Sequence, residues 1–303
     1  MRLRIGTRGS PLALAQTAQV RALLAATHRC NEERFEIVVI KTSGDMIQDR
    51  ALAEAGGKGL FTKEIDAAML AGAIDAAVHS SKDLPTFLPE GIEISGYLPR
   101  EDVRDALISS RADSIAGLPQ GARLGTASLR RQAQVKRLRP DIAISLLRGN
   151  VETRLRKAES GEVDATLLAY AGLKRLGLAH RVTALLDIGD FLPAVGQGAI
   201  GLTARAGDAA TRELLAPIFD AATGHALAAE RAFLAELDGS CRTPIAGYAQ
   251  LIAGKLAFRG MVLREDGSEA FEIEASGTIA EAAALGAKAG RDLLRRLPRG
   301  VLR

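Results

Sequence analysis

Tryptophan is absent from this 303-residue chain, aromatics of any kind make up 4% of it, and there are two cysteines. Each scarcity excludes something. Without aromatic platforms interleaved among basic residues, a nucleic-acid surface is disfavoured. Cys30 and Cys241 are too few and too far apart to staple a chain of this length, so a disulfide scaffold is excluded and a reducing compartment is expected. No run of about 18 apolar residues escapes interruption by charge, which removes a membrane span. The start, Met1-Arg2-Leu3-Arg4-Ile5-Gly6, has no apolar stretch behind its basic residues and so does not read as a signal peptide. His28, His79, His180 and His225 are dispersed, with no pair at ligand spacing, and no metal site is expected. These absences together point to a cytoplasmic protein.

Charge of one sign is lacking too. Forty Lys+Arg against 36 Asp+Glu leave +4, too little for a polybasic arm or an acidic disordered chain. What is present is an apolar fraction of 47%, enough for cores in two or three domains of roughly 100–200 residues each. Arginine far outnumbers lysine. Compositional bias of the genome explains that blandly; guanidinium forks that grip carboxylates explain it functionally, and only position can decide.

Strand-like and helix-like stretches alternate over most of the chain, the grammar of α/β units with parallel sheets. Leu3–Gly6 reads as a strand, Ser10-Pro11 as the start of a helix to about Ala26, and Phe35–Lys41 as a buried strand. Thr42–Gly59 reads as a long loop, Thr62–Leu70 as a helix and Ile74–Val78 as the next strand. The pattern restarts at Arg123, and the restart looks like an internal repeat. Ile5-Gly6-Thr7 with Ser10 and Gln16 echoes Leu124-Gly125-Thr126 with Ser128 and Gln132; Gly72-Ala-Ile-Asp75 echoes Gly161-Glu-Val-Asp164. Two such lobes create a cleft suited to ligand capture. Leu192–Leu202 reads as a glycine-punctuated strand returning to the first lobe. After Cys241, closely spaced strands and an Ala-rich helix read as a small α+β domain with an antiparallel sheet.

The densest polar cluster, His79-Ser80-Ser81-Lys82-Asp83, follows a buried-type strand and so emerges at a sheet's carboxyl end. Arg130 and Arg131 open a helix, where free N–H groups already favour anions, and their mutual repulsion argues for an anionic partner. Arg148-Gly149-Asn150, with Arg154 behind it, and Arg8 ahead of Ser10 repeat the placement. Arginines gathered at strand-to-helix junctions favour a small polyanion. Gly56-Gly57-Lys58-Gly59 fails the P-loop pattern, because neither Ser nor Thr follows Lys58 and the required earlier glycine is missing. A Ser–His–Asp hydrolase from Ser80, His79 and Asp83 is disfavoured, since neighbours on a strand face opposite ways. Cys241, in Asp-Gly-Ser-Cys-Arg-Thr-Pro, sits on a constrained loop that suits covalent chemistry; the negative end of the preceding helix opposes its thiolate, so arginines must compensate.

Seven segments carry a specific likeness: Ile5-Gly-Thr-Arg-Gly-Ser-Pro-Leu-Ala, Gly56-Gly-Lys-Gly-Leu-Phe-Thr-Lys-Glu, Ala77-Val-His-Ser-Ser-Lys-Asp-Leu-Pro, Gly125-Thr-Ala-Ser-Leu-Arg-Arg-Gln, Leu147-Arg-Gly-Asn-Val-Glu-Thr-Arg-Leu, Leu192-Pro-Ala-Val-Gly-Gln-Gly-Ala and Gly239-Ser-Cys-Arg-Thr-Pro-Ile-Ala. In this order they closely resemble the signature segments of the porphobilinogen deaminase (hydroxymethylbilane synthase) family. The resemblance implies a transferase of tetrapyrrole and heme biosynthesis that joins four porphobilinogen molecules head to tail into hydroxymethylbilane and releases ammonia each time. It implies a dipyrromethane cofactor attached through Cys241, with Lys82, Asp83, Ser80, Thr126, Ser128, Arg130, Arg131, Arg148 and Arg154 around it. Asp83 would be catalytic, stabilising cationic pyrroles. Arg8, Ser10, Arg148, Arg154, Arg175 and Gln197 would bind substrate, and Lys58 and Phe61 would belong to a lid loop that excludes water.

The fold implied is α/β: two similar periplasmic-binding-protein-like lobes around a cleft plus a small C-terminal α+β domain. Residues 1–97 with 194–216 would form the first lobe, 98–193 the second and 217–303 the domain carrying the cysteine. The partners would be porphobilinogen and the growing oligopyrrole, bound by a monomer with no nucleic acid and no membrane. The alternative is a two-lobed carboxylate-binding protein without catalysis, which would need neither Cys241 nor the Lys82-Asp83 pair. A non-catalytic scaffold would leave the junction arginines unexplained.

Overall fold

The structure is a computed structural model that describes residues 2–46, 59–239 and 243–302. The chain opens with β1 (Leu3–Arg8), α1 (Pro11–Thr27), β2 (Phe35–Ile40), α2 (Ser43–Met46), α3 (Lys63–Leu70), β3 (Ala76–Ser80) and β4 (Ile92–Tyr97). It continues through β5 (Asp105–Ser109), β6 (Arg123–Gly125), α4 (Leu129–Leu138), β7 (Ala143–Ser145), α5 (Val151–Glu159), β8 (Ala165–Ala169), α6 (Tyr170–Arg175) and β9 (Ala184–Leu185). It ends with β10 (Ile200–Arg205), α7 (Ala209–Leu215), α8 (Ala221–Glu236), β11 (Ile245–Ile252), β12 (Lys255–Leu263), β13 (Ala270–Gly277) and α9 (Ala282–Arg296). Side-chain caps fix the starts of the helices that matter most. Ser10 accepts the Ala13 N–H, Ser128 that of Arg131, Asn150 that of Thr153 and Asp220 that of Thr223.

Two five-stranded sheets and one three-stranded sheet result, ordered β2-β1-β3-β10-β4, β7-β6-β8-β5-β9 and β11-β12-β13. The first two share one plan. Three parallel strands are followed by an antiparallel strand (β10 or β5) and then an edge strand. The expectation of parallel sheets is thus corrected: both are mixed, because in each the antiparallel strand is the one that has just crossed over from the other lobe. The C-terminal sheet is antiparallel throughout, as read from the sequence.

Each mixed sheet is covered on both faces, which explains its apolar strands. In the first, Leu3, Ile5, Val78 and Leu202 pack with Val20 and Leu24 of α1, while Ala77 on the opposite face packs with Ile65 and Met69 of α3. In the second, Leu107 and Leu124 meet Val135 of α4, whereas Ala106 and Ile108 meet Leu155 of α5 and Leu173 of α6. The third sheet lays Phe258 and Val262 against Phe233 of α8 and Leu293 of α9. Its other face docks Ala246, Met261 and Leu263 on Ala133 of α4 and Leu192.

The internal repeat is structural. Asp75 accepts the Arg4 backbone N–H at 2.9 Å and returns its own N–H to the Arg4 carbonyl at 2.9 Å. Asp164 makes the same pair with Arg123, at 2.8 Å both ways. One echo was misaligned. Gln16 bonds Ser80, and the residue at the same offset from Ser128 is Gln134, which clasps Leu192 in both directions; Gln132 instead reaches the Glu265 carbonyl.

The stretch Leu192–Leu202 is also not one strand. Residues 195–198 form turns, 192–194 are irregular, and pairing begins only at Ile200. Gly196 and Gly198 have φ of +75° and +86°, and a Cβ on Gly198 would lie 2.4 Å from the Glu101 carbonyl oxygen. The two crossings between lobes therefore pass too closely for any side chain there.

Candidate functional site

A cavity of about 710 Å³ lies among the three sheets, walled by both lobes and by Leu234, Thr243 and Ile245 of the C-terminal unit. The N-terminal turns of α1, α4 and α5 all contribute to its wall, so the positive ends of three helix dipoles reach one space. Its described lining includes Arg8, Lys41, Lys82, Arg130, Arg131, Arg148 and Arg154 but only Asp83 and Glu152 as acids. The near balance of the whole chain conceals this local excess.

Asp83 closes a short 3₁₀ turn after β3, and its carboxylate is 3.7 Å from the Arg8 guanidinium at the end of β1. Arg8 in turn lies over the Phe61 ring, 4.1 Å from its centre. Lys82, on the same turn, donates to Gln197 Oε1 at 3.4 Å. Burial pushes the Lys82 pKa down to about 8, helped by the Arg131 and Arg154 charges and opposed by Asp83 and Asp105. Arg154 is lowered to about 10, mainly by burial and then by Arg131. Cations crowded away from water without enough counter-charge are poised for an anion.

Behind this wall sits Asp105, fully buried at the start of β5. Its carboxylate accepts from Arg130 at 2.8 Å, from Arg131 at 2.7 and 3.0 Å and from Gln197 Nε2 at 3.2 Å. Burial works to raise its pKa, but the two guanidinium groups outweigh it and hold it well below the usual carboxylate range. Arg130 and Arg131 also donate to the carbonyls of Leu192 and Leu167. The anion that their repulsion demands is therefore supplied in large part from within. Arg130 Nε, however, is buried without a hydrogen-bond partner.

Ser80, Ser10, Thr126, Ser128, Arg148 and Arg154 all reach the cavity lining, as do Lys82, Asp83, Phe61 and Gln197. Ser80 is engaged with Gln16 at 3.0 Å. Gln197 lies in a turn rather than in a strand; its amide is shared among Lys82, the Val103 carbonyl and Asp105. Arg175 lies outside the described lining and donates to the Gly198 carbonyl at 2.7 Å. His79 also borders the cavity, but its ring is buried and its Nε2 lies 3.0 Å from Thr203 Oγ1. Cys241 and Lys58 lie outside the described residues, as does most of the long loop.

Sequence reasoning missed Asp105 and Glu230. Glu230 is fully buried on α8 and accepts from both Arg100 amino nitrogens (2.5 and 3.0 Å), the Gly196 N–H (2.7 Å) and the Ala249 N–H (2.8 Å). Arg100 Nε donates to the Gln197 carbonyl at 2.9 Å. One carboxylate thus joins both crossings to the C-terminal unit. Its signal in the sequence was an acid among the alanines of α8, whose other acid, Glu236, ends the helix. Among the described residues no cluster of His, Cys, Asp and Glu could hold a metal, and no helix is long and apolar enough to cross a membrane.

Residues 3–213 match the family described as "Porphobilinogen deaminase, dipyromethane cofactor binding domain", and residues 225–295 match "Porphobilinogen deaminase, C-terminal domain". Curated relatives named porphobilinogen deaminase from Nitrobacter hamburgensis and Nitrobacter winogradskyi are 58% and 57% identical over 292 residues, 96% of this chain and 92% of theirs. Similar solved structures include a nutrient binding protein from Burkholderia cenocepacia bound to methionine, at 16% identity and a TM-score of 0.43 over 71% of this chain and 90% of that one. A periplasmic substrate-binding protein of an ABC transporter from Coxiella burnetii gives 14% and 0.46 over 71% and 91%.

Proposed function

Because the chain belongs to the porphobilinogen deaminase family, we propose that it condenses four porphobilinogen molecules head to tail into hydroxymethylbilane, releasing ammonia at each addition, on a dipyrromethane primer held by Cys241. The observation that carries this reading is the cationic cavity with Asp83 among its basic residues. Every pyrrole of this class bears two carboxylates, and rigid guanidinium forks match them bidentately. The lining fits the primer: it is cationic, roomy, partly apolar and lined by Arg130, whose Nε is buried and unpartnered. When bound, the primer supplies the nucleophilic pyrrole carbon to which the first substrate is joined.

The chain's own groups do the rest. Arg130, Arg131, Arg148, Arg154 and Lys82 hold primer carboxylates, while Ser80, Thr126 and Ser128 add hydrogen bonds. Arg8 and Ser10, together with Arg148 and Arg154, receive those of the substrate. Arg175 and Gln197 serve the same carboxylates by fixing the crossing turn. Loss of ammonia from the substrate's aminomethyl group leaves positive charge on the pyrrole ring. Asp83 offsets that charge and accepts from the ring N–H. Phe61 and Lys58 belong to the loop that excludes water.

The domain limits in this reading are 1–97 with 194–216, 98–193 and 217–303. The protein acts as a cytoplasmic monomer, without nucleic-acid or membrane partners. Intact-mass measurement of purified protein is expected to show an adduct of two pyrrole units that disappears in Cys241→Ser. Asp83→Ala is expected to keep the adduct and lose nearly all turnover. An unmodified yet fully active protein, or wild-type rates in Asp83→Ala, would refute the assignment.

A further inference from the structure

The segment that runs on from Asp83 is fastened to α8 at two points. Arg231 donates from one terminal nitrogen to the carbonyls of both Pro85 (2.9 Å) and Thr86 (3.0 Å). The Thr86 hydroxyl donates to the Gly239 carbonyl at 2.5 Å. Gly239 lies just past the end of α8, two residues before Cys241 in the chain. On the near side, Leu84 is buried and extended (φ −66°, ψ 138°), as a residue before proline must be. The turn bearing Asp83 is therefore held by β3 at one end and by this fastening at the other.

Arg231 is a costly choice for a simple tie. Among the described residues no carboxylate lies within ion-pair distance of it, and burial pushes its pKa down. A partly buried cation without a counter-ion costs free energy, which a neutral donor would avoid. What the guanidinium adds is reach and rigidity: one terminal nitrogen, held in the plane of the group, meets two successive carbonyls.

We propose that Thr86 and Arg231 are positioning residues: by fastening the segment behind Asp83 to the end of α8, they fix where Asp83 stands relative to the stem of the stretch that carries Cys241. This rests on the reading under Proposed function. Neither residue is in the described lining of the cavity. Their effect is on geometry, where a displacement of about 1 Å can cost about a hundredfold in rate.

The test compares Thr86→Val, Thr86→Ser and Arg231→Lys with the parent. The readouts are kcat and KM with porphobilinogen, melting temperature, adduct mass and the mass distribution of covalent intermediates. Thr86→Val is expected to keep the adduct and the parent's melting temperature, to hold KM, and to lose about tenfold or more in kcat while intermediates accumulate. Thr86→Ser, which restores the hydroxyl, is expected to return kcat to the parent's level. Arg231→Lys keeps the charge but ends one atom short of the nitrogen that reaches both carbonyls, and is expected to behave like Thr86→Val.

A parent-like kcat in both Thr86→Val and Arg231→Lys overturns the proposal. So does a fall in melting temperature with no build-up of intermediates. If Thr86→Val fails to fold, a full-rate Arg231→Lys overturns it alone. A parent that bears no adduct and releases no ammonia from porphobilinogen refutes the function itself, whereas an active, adduct-bearing parent with unaffected variants refutes only the positioning role.

Discussion

At the scale of the residue, the buried titratable groups give the protein two separate zones of acid lability. Burial lowers the His79 pKa from 6.5 to about 4, with the Arg8 charge acting in the same direction. The unfolded chain therefore binds a proton that the folded chain refuses, and stability falls as pH drops from about 6.5 toward 4. Asp105 works in a lower window. Its folded pKa is depressed below an unfolded value of about 3.9, so its contribution is present above that value and is lost as pH falls through the folded one. Denaturant titrations across pH are expected to show His79→Gln flattening the upper window. Asp105→Asn is expected to flatten the lower one and to cost about 3–5 kcal/mol near neutrality by stranding two buried guanidinium groups. An unchanged acid limb in either variant would contradict the assignment. The same residues show why the site was only partly legible. Arg130 and Arg131 could be placed at a helix start from the sequence, but Asp105 begins β5, two strands along the sheet from β6, and no spacing rule connects the three.

Among elements, the closest approach is between α8 and α9. A Cβ on Gly286 would lie 1.9 Å from the Ala229 carbonyl oxygen, and one on Gly290 would lie 3.0 Å from that of Phe233. Backbone meets backbone there, so no side chain can swing aside. Gly286→Ala is expected to push the helices apart and cost roughly 1–3 kcal/mol, read as a lower melting temperature, despite the gain in helix propensity. A neutral or stabilising result would show that the two helices can slide past one another. Helices and the C-terminal strands were legible because caps and periodicity are local: Ser10-Pro11 and Asn150 start helices where the sequence says they should. β4 and β5 were missed, and Leu192–Leu202 was taken for a strand. Glycine-punctuated apolar residues look alike in a strand and in a buried crossing, and only the approach of Gly198 to Glu101 separates the two.

For the whole molecule, the pairing of distant strands sets the order of events. The second sheet pairs Leu124 with Ile144 and Leu107 with Leu167, whereas the first needs Leu202 set between Val78 and Gly96. Loop closure over the longer separation is slower. Pulsed hydrogen exchange during refolding is expected to protect β6 and β8 before β4, whose only strand partner among the described residues is β10. Simultaneous protection of both sheets would argue that the molecule closes in one step. The duplicated plan was visible in the sequence as two short echoes; that each lobe lends a strand-bearing crossing to the other was not, because chain order alone does not reveal which strand sits in the middle of a sheet.

The placement of β10 has a consequence for a chain leaving the ribosome. The strands of the second sheet all lie between residues 105 and 185, so that lobe can close while its successor is still being made. The first lobe emerges earlier yet must wait, its β4 without a neighbour, until residue 205 has been added. The half of the molecule translated first is the half completed later, and in the interval its open sheet edge is what a nascent-chain chaperone would meet.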